Sequence, residues 1–443
     1  MAQFNKNDQD FLNQERTLFE VNMIANKNGE VVTKTNRFPV DVLPANADAF
    51  GRTRVSNPLT LFDSSHRYKD NNLWEGLLVG TGATVGFSTT EGLINIGIGT
   101  TAGCSVIRET TKVFSYQPGK SLLVLNTFVM NSPKENLRQR VGYFGADNGM
   151  YLQVSGIGST SVSFVERSLS TGTETVVPQT EWNIDKLDGT GVSGYTLDIS
   201  KAQILYMDIE WLGLGTVRVG FVINGQFIHC HSFHHANIIQ STYITTASLP
   251  LRYEIANTGI TTSSSTLKQV CSTVISEGGY ELRGLQQAVN TPITAPVDLP
   301  SPAGTYYPVL SIRLKSSPNR LDAIVIMTAL SVMGIGNGPE YNWQVRASAT
   351  TSGGTWVDAG VDSAVEYKID GGTVSGGRIL ASGFFSSNNQ SAASVDILKE
   401  ALFKFQLERN GLTGTPYELT LVCATADAGA DVFASLDWEE ISR

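Results

Sequence analysis

The chain has 443 residues, a formal net charge of −9, 41% hydrophobic residues and 16% charged residues. That length allows two or three domains with sizeable cores, and the acidic balance gives no general electrostatic reason to coat nucleic acid or an anionic membrane. No apolar run approaches the roughly 20 residues of a spanning helix, and the polar opening MAQFNKNDQDFLNQE does not read as a signal peptide.

The first 48 residues read as a thin polar arm. Asn7 or Asp8 is placed to cap a short helix carrying Phe11, Leu12, Leu18, Phe19 and Ile24 on one stripe, and Asn28-Gly29 ends it. One short helix followed by extended chain has little of its own to bury against, so the arm is expected to order by docking on a neighbour. Residues 49–63, AFGRTRVSNPLTLFD, form the strap by which the arm enters the rest of the chain. Arg52 and Arg54 point the same way in an extended segment, and Pro58 keeps Asn57 out of the helical region. Phe50, Arg52, Arg54, Pro58 and Phe62 are the expected assembly contacts.

From residue 63 to about 285 the pattern is strand after strand. The expected runs are 93–98, 106–114, 121–130, 139–144, 150–155, 161–167, 204–211, 217–223, 226–233, 251–256 and 268–276, separated by turn residues. Asn224-Gly225 between two alternating runs is a strong hairpin signal. Pairing across it sets Val222 opposite Phe227, Phe221 opposite Ile228, Val219 opposite Cys230 and Arg218 opposite His231. The preceding run then places Trp211 by Val217, Ile209 by Val219 and Met207 by Phe221. One face of this meander is apolar, and the other carries Asp208, Glu210, Arg218, His229 and His231. Residues 286–305, with four prolines, read as a linker, and 306–443 repeats the strand grammar on the scale of one further sandwich, with a helical turn at 394–401. The fold class is therefore mainly β: two β-sandwich or jelly-roll domains (63–285, concanavalin-like as one option, and 306–443) behind an extended N-terminal arm with a short helix (1–62).

Candidate chemistry is sparse. Cys104, Cys230, Cys271 and Cys423 contain no C-x-x-C pair and read as free thiols, with a Cys230–Cys271 pairing left open. His229 and His231 at i, i+2, beside Asp208, form the one weak metal candidate, because such a pair on one strand face can chelate zinc or iron. Arg218 opposite His231 disfavours it, whereas Gly220 leaves room beside His229. Asp208 and Glu210, about 7 Å apart along a strand, suit paired-carboxylate glycoside hydrolysis in spacing. An arginine neighbour that keeps both ionised argues against a general acid there. Asp188-Gly189-Thr190-Gly191 offers oxygens for calcium but lacks the spacing of a known loop. No nucleotide, nucleophile-elbow or zincin motif occurs, so no catalytic residue, cofactor or resident metal is assigned.

An ordered series of blocks is similar to a family of tailed-bacteriophage virion structural proteins. The blocks are AFGRTRVSNPLTLFDSSHRY, FSYQPGKSLLVL, RQRVGYFGADNGMYLQ, EWNIDKLDGTGVSGYTLDISKAQILYMDIEWLGLGTVRVGFVINGQFIHCHSFHHAN, LPLRYEI, PVLSIRLKS and ADVFASLDWEEI. The resemblance covers about residues 45–443 and implies a homo-oligomeric, non-catalytic virion component assembled in the host cytoplasm. Its expected partners are other copies of itself and other virion proteins. The tail, neck or fibre apparatus is favoured over a head decoration or head fibre. A carbohydrate-binding adhesin with a host surface glycan as partner, or a polysaccharide depolymerase using Asp208 or Glu210, are the rival readings.

Overall fold

The chain from Asn57 to Arg443 forms one compact unit. The computed structural model describes residues 57–442 apart from 159, 301, 336–339, 370–371, 388–394, 397–404 and 427–428. The arm with its short helix, and the expected contacts Phe50, Arg52 and Arg54, lie outside the described residues, as does most of the helical turn expected at 394–401.

The described residues are mainly strand. In the first half these are β1 (Leu59–Ser65), β2 (Trp74–Val79), β3 (Thr84–Ser88), β4 (Leu93–Ile98), β5 (Ser105–Thr110), β6 (Leu122–Val129), β7 (Leu137–Phe144) and β8 (Gly149–Ser155). They continue as β9 (Val162–Ser168), β10 (Thr173–Pro178), β11 (Ala202–Ile209), β12 (Val217–Ile223), β13 (Gln226–Phe233), β14 (Leu251–Asn257) and β15 (Ser265–Ser276). One sheet runs β13-β12-β11-β6-β15-β4-β3 with β1 also paired to β15; the other runs β10-β9-β8-β7-β14-β5-β2. Alternation decides the packing: in β6, Leu122, Val124 and Phe128 are buried while Leu123, Leu125 and Val129 are half-exposed. Inward residues of both sheets share one core, with Val141, Tyr143 and Tyr253 from one and Ile96, Val124 and Phe221 from the other.

The second half contributes β16 (Leu285–Asn290), β17 (Val297–Leu299), β18 (Tyr307–Leu314), β19 (Ile324–Ile335), β20 (Glu340–Thr351), β21 (Val357–Asp358) and β22 (Val365–Ile369). After these come β23 (Val374–Ser386), β24 (Val395–Asp396), β25 (Arg409–Asn410), β26 (Thr415–Pro416), β27 (Glu418–Thr425) and β28 (Ala430–Ser442). The sheets β16-β28-β19-β24 (with β17 also on β28) and β21-β22-β18-β27-β20-β23 enclose a second core around Ile312, Trp343, Leu421 and Trp438. The residues expected to be a linker, 286–305, therefore belong to this sandwich. β16 and β17 lie one after the other along β28, pairing Leu285 through Asn290 with Glu440 through Ser435, then Val297 through Leu299 with Val432 through Ala430. The prolines fall between and beyond these edge strands, where no ladder donor is missed.

Phe62, expected as an assembly contact, is 8% exposed and packs in its own chain's core against Trp74 and Phe114, at ring distances of 6.1 and 4.9 Å. Alternation along β1 turns it inward. Pro58 is exposed. All four cysteines are free, so the Cys230–Cys271 pairing does not form.

The two sandwiches meet across buried charge. Glu109 of β5 receives the Arg252 Nε at 2.8 Å and the Arg409 guanidinium at 3.0 Å. Arg409 also donates to the Thr110 carbonyl at 2.8 Å, sends its backbone N–H to Thr111 O at 2.9 Å, and reaches Asp322 at 3.0 Å. Beside it, Lys112 pairs with Glu408 at 3.4 Å and Gln406 donates to the Val113 carbonyl at 3.0 Å. Val113, Ile324 and Ile326 close the joint with apolar contact. Glu109 and Lys112 each pair with a charge of the other sandwich, Arg409 and Glu408, so the joint holds one angle. We expect Arg409→Met to leave Glu109 half-compensated and cost about 3 kcal/mol. Denaturant unfolding of the variant should separate into two transitions where the parent shows one.

His66 is 1% exposed and neither ring nitrogen has a hydrogen-bond partner. Burial, followed by the nearby Arg108 cation, lowers its pKa to about 4, with Asp70 opposing. The folded chain thus takes up this proton later than the unfolded chain does. Its contribution is whole above the ordinary value of 6.5 and is lost as pH falls toward 4. Stability should drop by on the order of 3 kcal/mol across that window, and melts of His66→Leu should show a flatter acid limb.

Candidate functional site

Polar side chains gather at one end of the first sandwich, where the β11–β12 turn meets the segment leading into β6. The hairpin forms as expected, with Asn224 at φ 52° and Gly225 at φ 76°, the left-handed pair a two-residue turn needs. Val222 faces Phe227 and Phe221 faces Ile228, and the register then shifts at a bulge between Val219 and Gly220. His231 pairs with Val219, His229 with Gly220, and Arg218 with Ser232 rather than His231. Across the other seam the pairs are Ile209–Val217, Met207–Val219, Tyr206–Gly220 and Asp208–Arg218. This is two residues away from the expected register, a shift that keeps every side chain on its face but changes each partner.

The consequences for the metal candidate are direct. Val219 and Gly220 point to opposite sides of the sheet, so their partners His231 and His229 do not share a face. His231 Nδ1 accepts the Asn183 backbone N–H at 3.3 Å, and His229 Nε2 lies 2.9 Å from Ser232 Oγ. Burial first, then neighbouring histidines, lowers His231 to about 4. The room expected at Gly220 is filled: a Cβ there would lie 2.0 Å from the Ile228 carbonyl and 2.9 Å from the Tyr206 ring. Among the described residues no group of three or more His, Cys, Asp or Glu side chains is arranged to hold a metal. The calcium candidate is also occupied from within. Asp188 Oδ1 accepts the Thr190 N–H at 2.9 Å, and Asp185 accepts those of Leu187 and Ser193 at 2.9 and 2.8 Å.

Asp208 and Glu210 do share a site. With Tyr116, Lys120, Ser121, Leu212, Thr216 and Arg218 they line a groove of about 450 Å³. Arg218 lies across from Asp208 and bonds its Oδ2; the arginine is 58% exposed and the carboxylate 12%. Asp208 Oδ1 is buried without a hydrogen-bond partner. Burial raises the Asp208 pKa above the usual carboxylate value, and Arg218 opposes the rise while Glu277 and Glu210 add to it. The arginine, expected to keep this carboxyl ionised, thus offsets only part of the desolvation. Glu210 is tied down by the Thr216 N–H, which reaches its Oε2 at 3.2 Å.

The groove wall is held from behind. Trp211 Nε1 donates to Ile244 O at 3.1 Å, Tyr243 OH to Glu210 O at 2.9 Å, and the Tyr243 N–H to Gly213 O at 3.0 Å. Leu212 is fixed at φ 40°, a left-handed conformation that is costly for leucine, and is 56% exposed on the rim. His235, stacked on Tyr243 at 4.0 Å, contacts the Gly215 carbonyl through Nδ1 at 2.5 Å and Glu166 through Nε2 at 2.8 Å. Nothing in the local sequence singles out His235. Its role depends on Glu166, a distant residue with no motif to announce it.

Both ring nitrogens of His235 face acceptors, so the imidazolium fits the site. Burial works against that charge, but the Glu166 and Gly215 bonds outweigh it and the pKa is raised. This contribution is complete below the ordinary value of 6.5 and is lost as pH rises through the folded value. Hydrogen exchange at residues 211–216 should accelerate beyond the intrinsic rate as pH rises past 6.5, and His235→Gln should remove most of that pH dependence.

No protein-family profile and no curated protein matches this sequence. Among solved structures, a Bacillus licheniformis β-glucanase is similar at 11% identity and TM-score 0.33, over 48% of this chain and 96% of that one. The carbohydrate recognition domain of Emp47p is similar at 13% identity and TM-score 0.32 (52% and 99%), and peanut lectin at 9% identity and TM-score 0.32 (50% and 98%).

Proposed function

We propose that this chain is a non-catalytic structural component of a tailed-phage particle, assembled in the host cytoplasm as a homo-oligomer through its N-terminal arm. Within the particle its place is the tail, neck or fibre apparatus. The observation that carries this reading is the joint. Glu109, Glu408 and Arg409 are buried, Lys112 is partly so, and the four pair across the two sandwiches, an arrangement that fixes geometry rather than admitting a substrate or allowing domains to close. A subunit that transmits position through an assembly requires such a fixed angle. The ordered sequence blocks run through both sandwiches, which accords with one body spanning residues 57–443. The candidate carboxylates support the same view, since Asp208 is paired with Arg218 and Glu210 is bound to a backbone N–H.

Sedimentation of the full-length protein and of a chain lacking residues 1–44 tests the arm. The full chain should sediment as a multimer, and the truncated chain as a folded monomer that is absent from purified particles. Incorporation of the truncated chain at normal levels would refute anchoring by the arm. Absence of the intact protein from particles would refute the virion assignment.

A further inference from the structure

The groove at Asp208 has features that a structural joint does not explain. It presents acceptors and donors in near balance: Asp208 and Glu210 with Glu277 nearby, against Lys120 and Arg218. An anion entering it meets the carboxylates, and a cation meets the ammonium and guanidinium. Lys120 is turned along the wall, donating to Gln117 Oε1 at 2.8 Å, and Ser121 Oγ donates to Glu277 at 3.0 Å. What the site lacks is a donor for Asp208 Oδ1, buried and unpartnered while its other oxygen holds Arg218. A buried acceptor left without a partner costs about 1–3 kcal/mol, which a bound hydroxyl would recover.

The rim adds a second requirement. Leu212 is held in a strained backbone conformation and kept exposed beside these polar groups, and Trp211, Tyr243 and His235 fix the loop that carries it. A ligand for this site offers hydroxyl groups that both donate and accept, carries no net charge, and has an apolar C–H face for Leu212. Its size is bounded by the groove volume of about 450 Å³, within the range of small-molecule sites.

We propose that this groove binds one or two residues of a neutral saccharide, with the Asp208 carboxylate and Arg218 gripping adjacent hydroxyls and Leu212 against the ring. Binding here is independent of the virion assignment and requires no bond to be broken.

The full-length protein is screened against an array of neutral, uronic-acid-containing and amino-sugar-containing oligosaccharides, and hits are titrated by calorimetry beside glycerol. A neutral oligosaccharide should bind with a dissociation constant of about 1 mM or tighter. Charged analogues of the same length should bind about tenfold more weakly, and Asp208→Ala should weaken the neutral ligand by about tenfold or more. Lys120→Met and Leu212→Ser, both at the groove surface, serve if Asp208→Ala does not fold, and each should weaken binding severalfold. The proposal is overturned if no neutral saccharide binds, if charged analogues or glycerol bind equally well, or if the folded groove variants bind as the parent does.

Discussion

The carboxylate of Glu109 is the point on which the two halves of this molecule depend. It sits almost wholly buried between Arg252 of its own sandwich and Arg409 of the other. A lone buried carboxylate would be prohibitively costly, and a single arginine would leave lone pairs unmet. With two guanidiniums, and with Arg409 further bonded to the Thr110 carbonyl and Asp322, the charges are satisfied in one relative placement of the sandwiches. A purely apolar joint of the size of the Val113–Ile324–Ile326 cluster would tolerate sliding. The directional bonds do not.

The same economy of buried polar groups recurs inside each sandwich. Glu440 lies at the second core, accepting the Ala364 N–H at 2.9 Å and the Trp438 indole N–H at 3.0 Å. Arg108 enters the first core between Gln269 at 2.8 Å and Asp70 at 2.6 Å. These groups are paired, so they specify geometry. His66 and Asp208 Oδ1 are the instructive contrasts, buried without a hydrogen-bond partner. One makes the fold sensitive to acid, and the other leaves an acceptor unmet in the wall of a groove.

Much of the architecture was legible because it rests on local period. The β4, β12 and β13 strands fall where alternation places them, and Asn224-Gly225 turns as its residue types require. The strands β1, β2, β3 and β10 escaped notice because glycines, serines and charges blur their alternation, and their edge or near-edge positions need less apolar surface. The prolines of 286–305 outweighed the alternation of Val297 and Leu299, which are buried against β28. Phe62 was misread because an aromatic beside an exposed strap looks alike whether it meets a partner or its own core.

What the sequence determined by itself is which faces are apolar, where turns fall and that no catalytic motif is present. Those properties follow from side-chain volume, polarity and backbone freedom over a few neighbouring residues. Which strand lies two residues up or down from its partner was decided by the tertiary structure, because such a slide preserves every face and so leaves no mark on the hydrophobic pattern. That choice places Arg218 on Asp208 rather than Glu210, and the bulge between Val219 and Gly220, equally silent in the sequence, separates His229 from His231. Contacts between residues far apart in the chain, such as Glu109 with Arg409 and Glu166 with His235, arise only when the sheets close, since nothing local to either partner encodes the other.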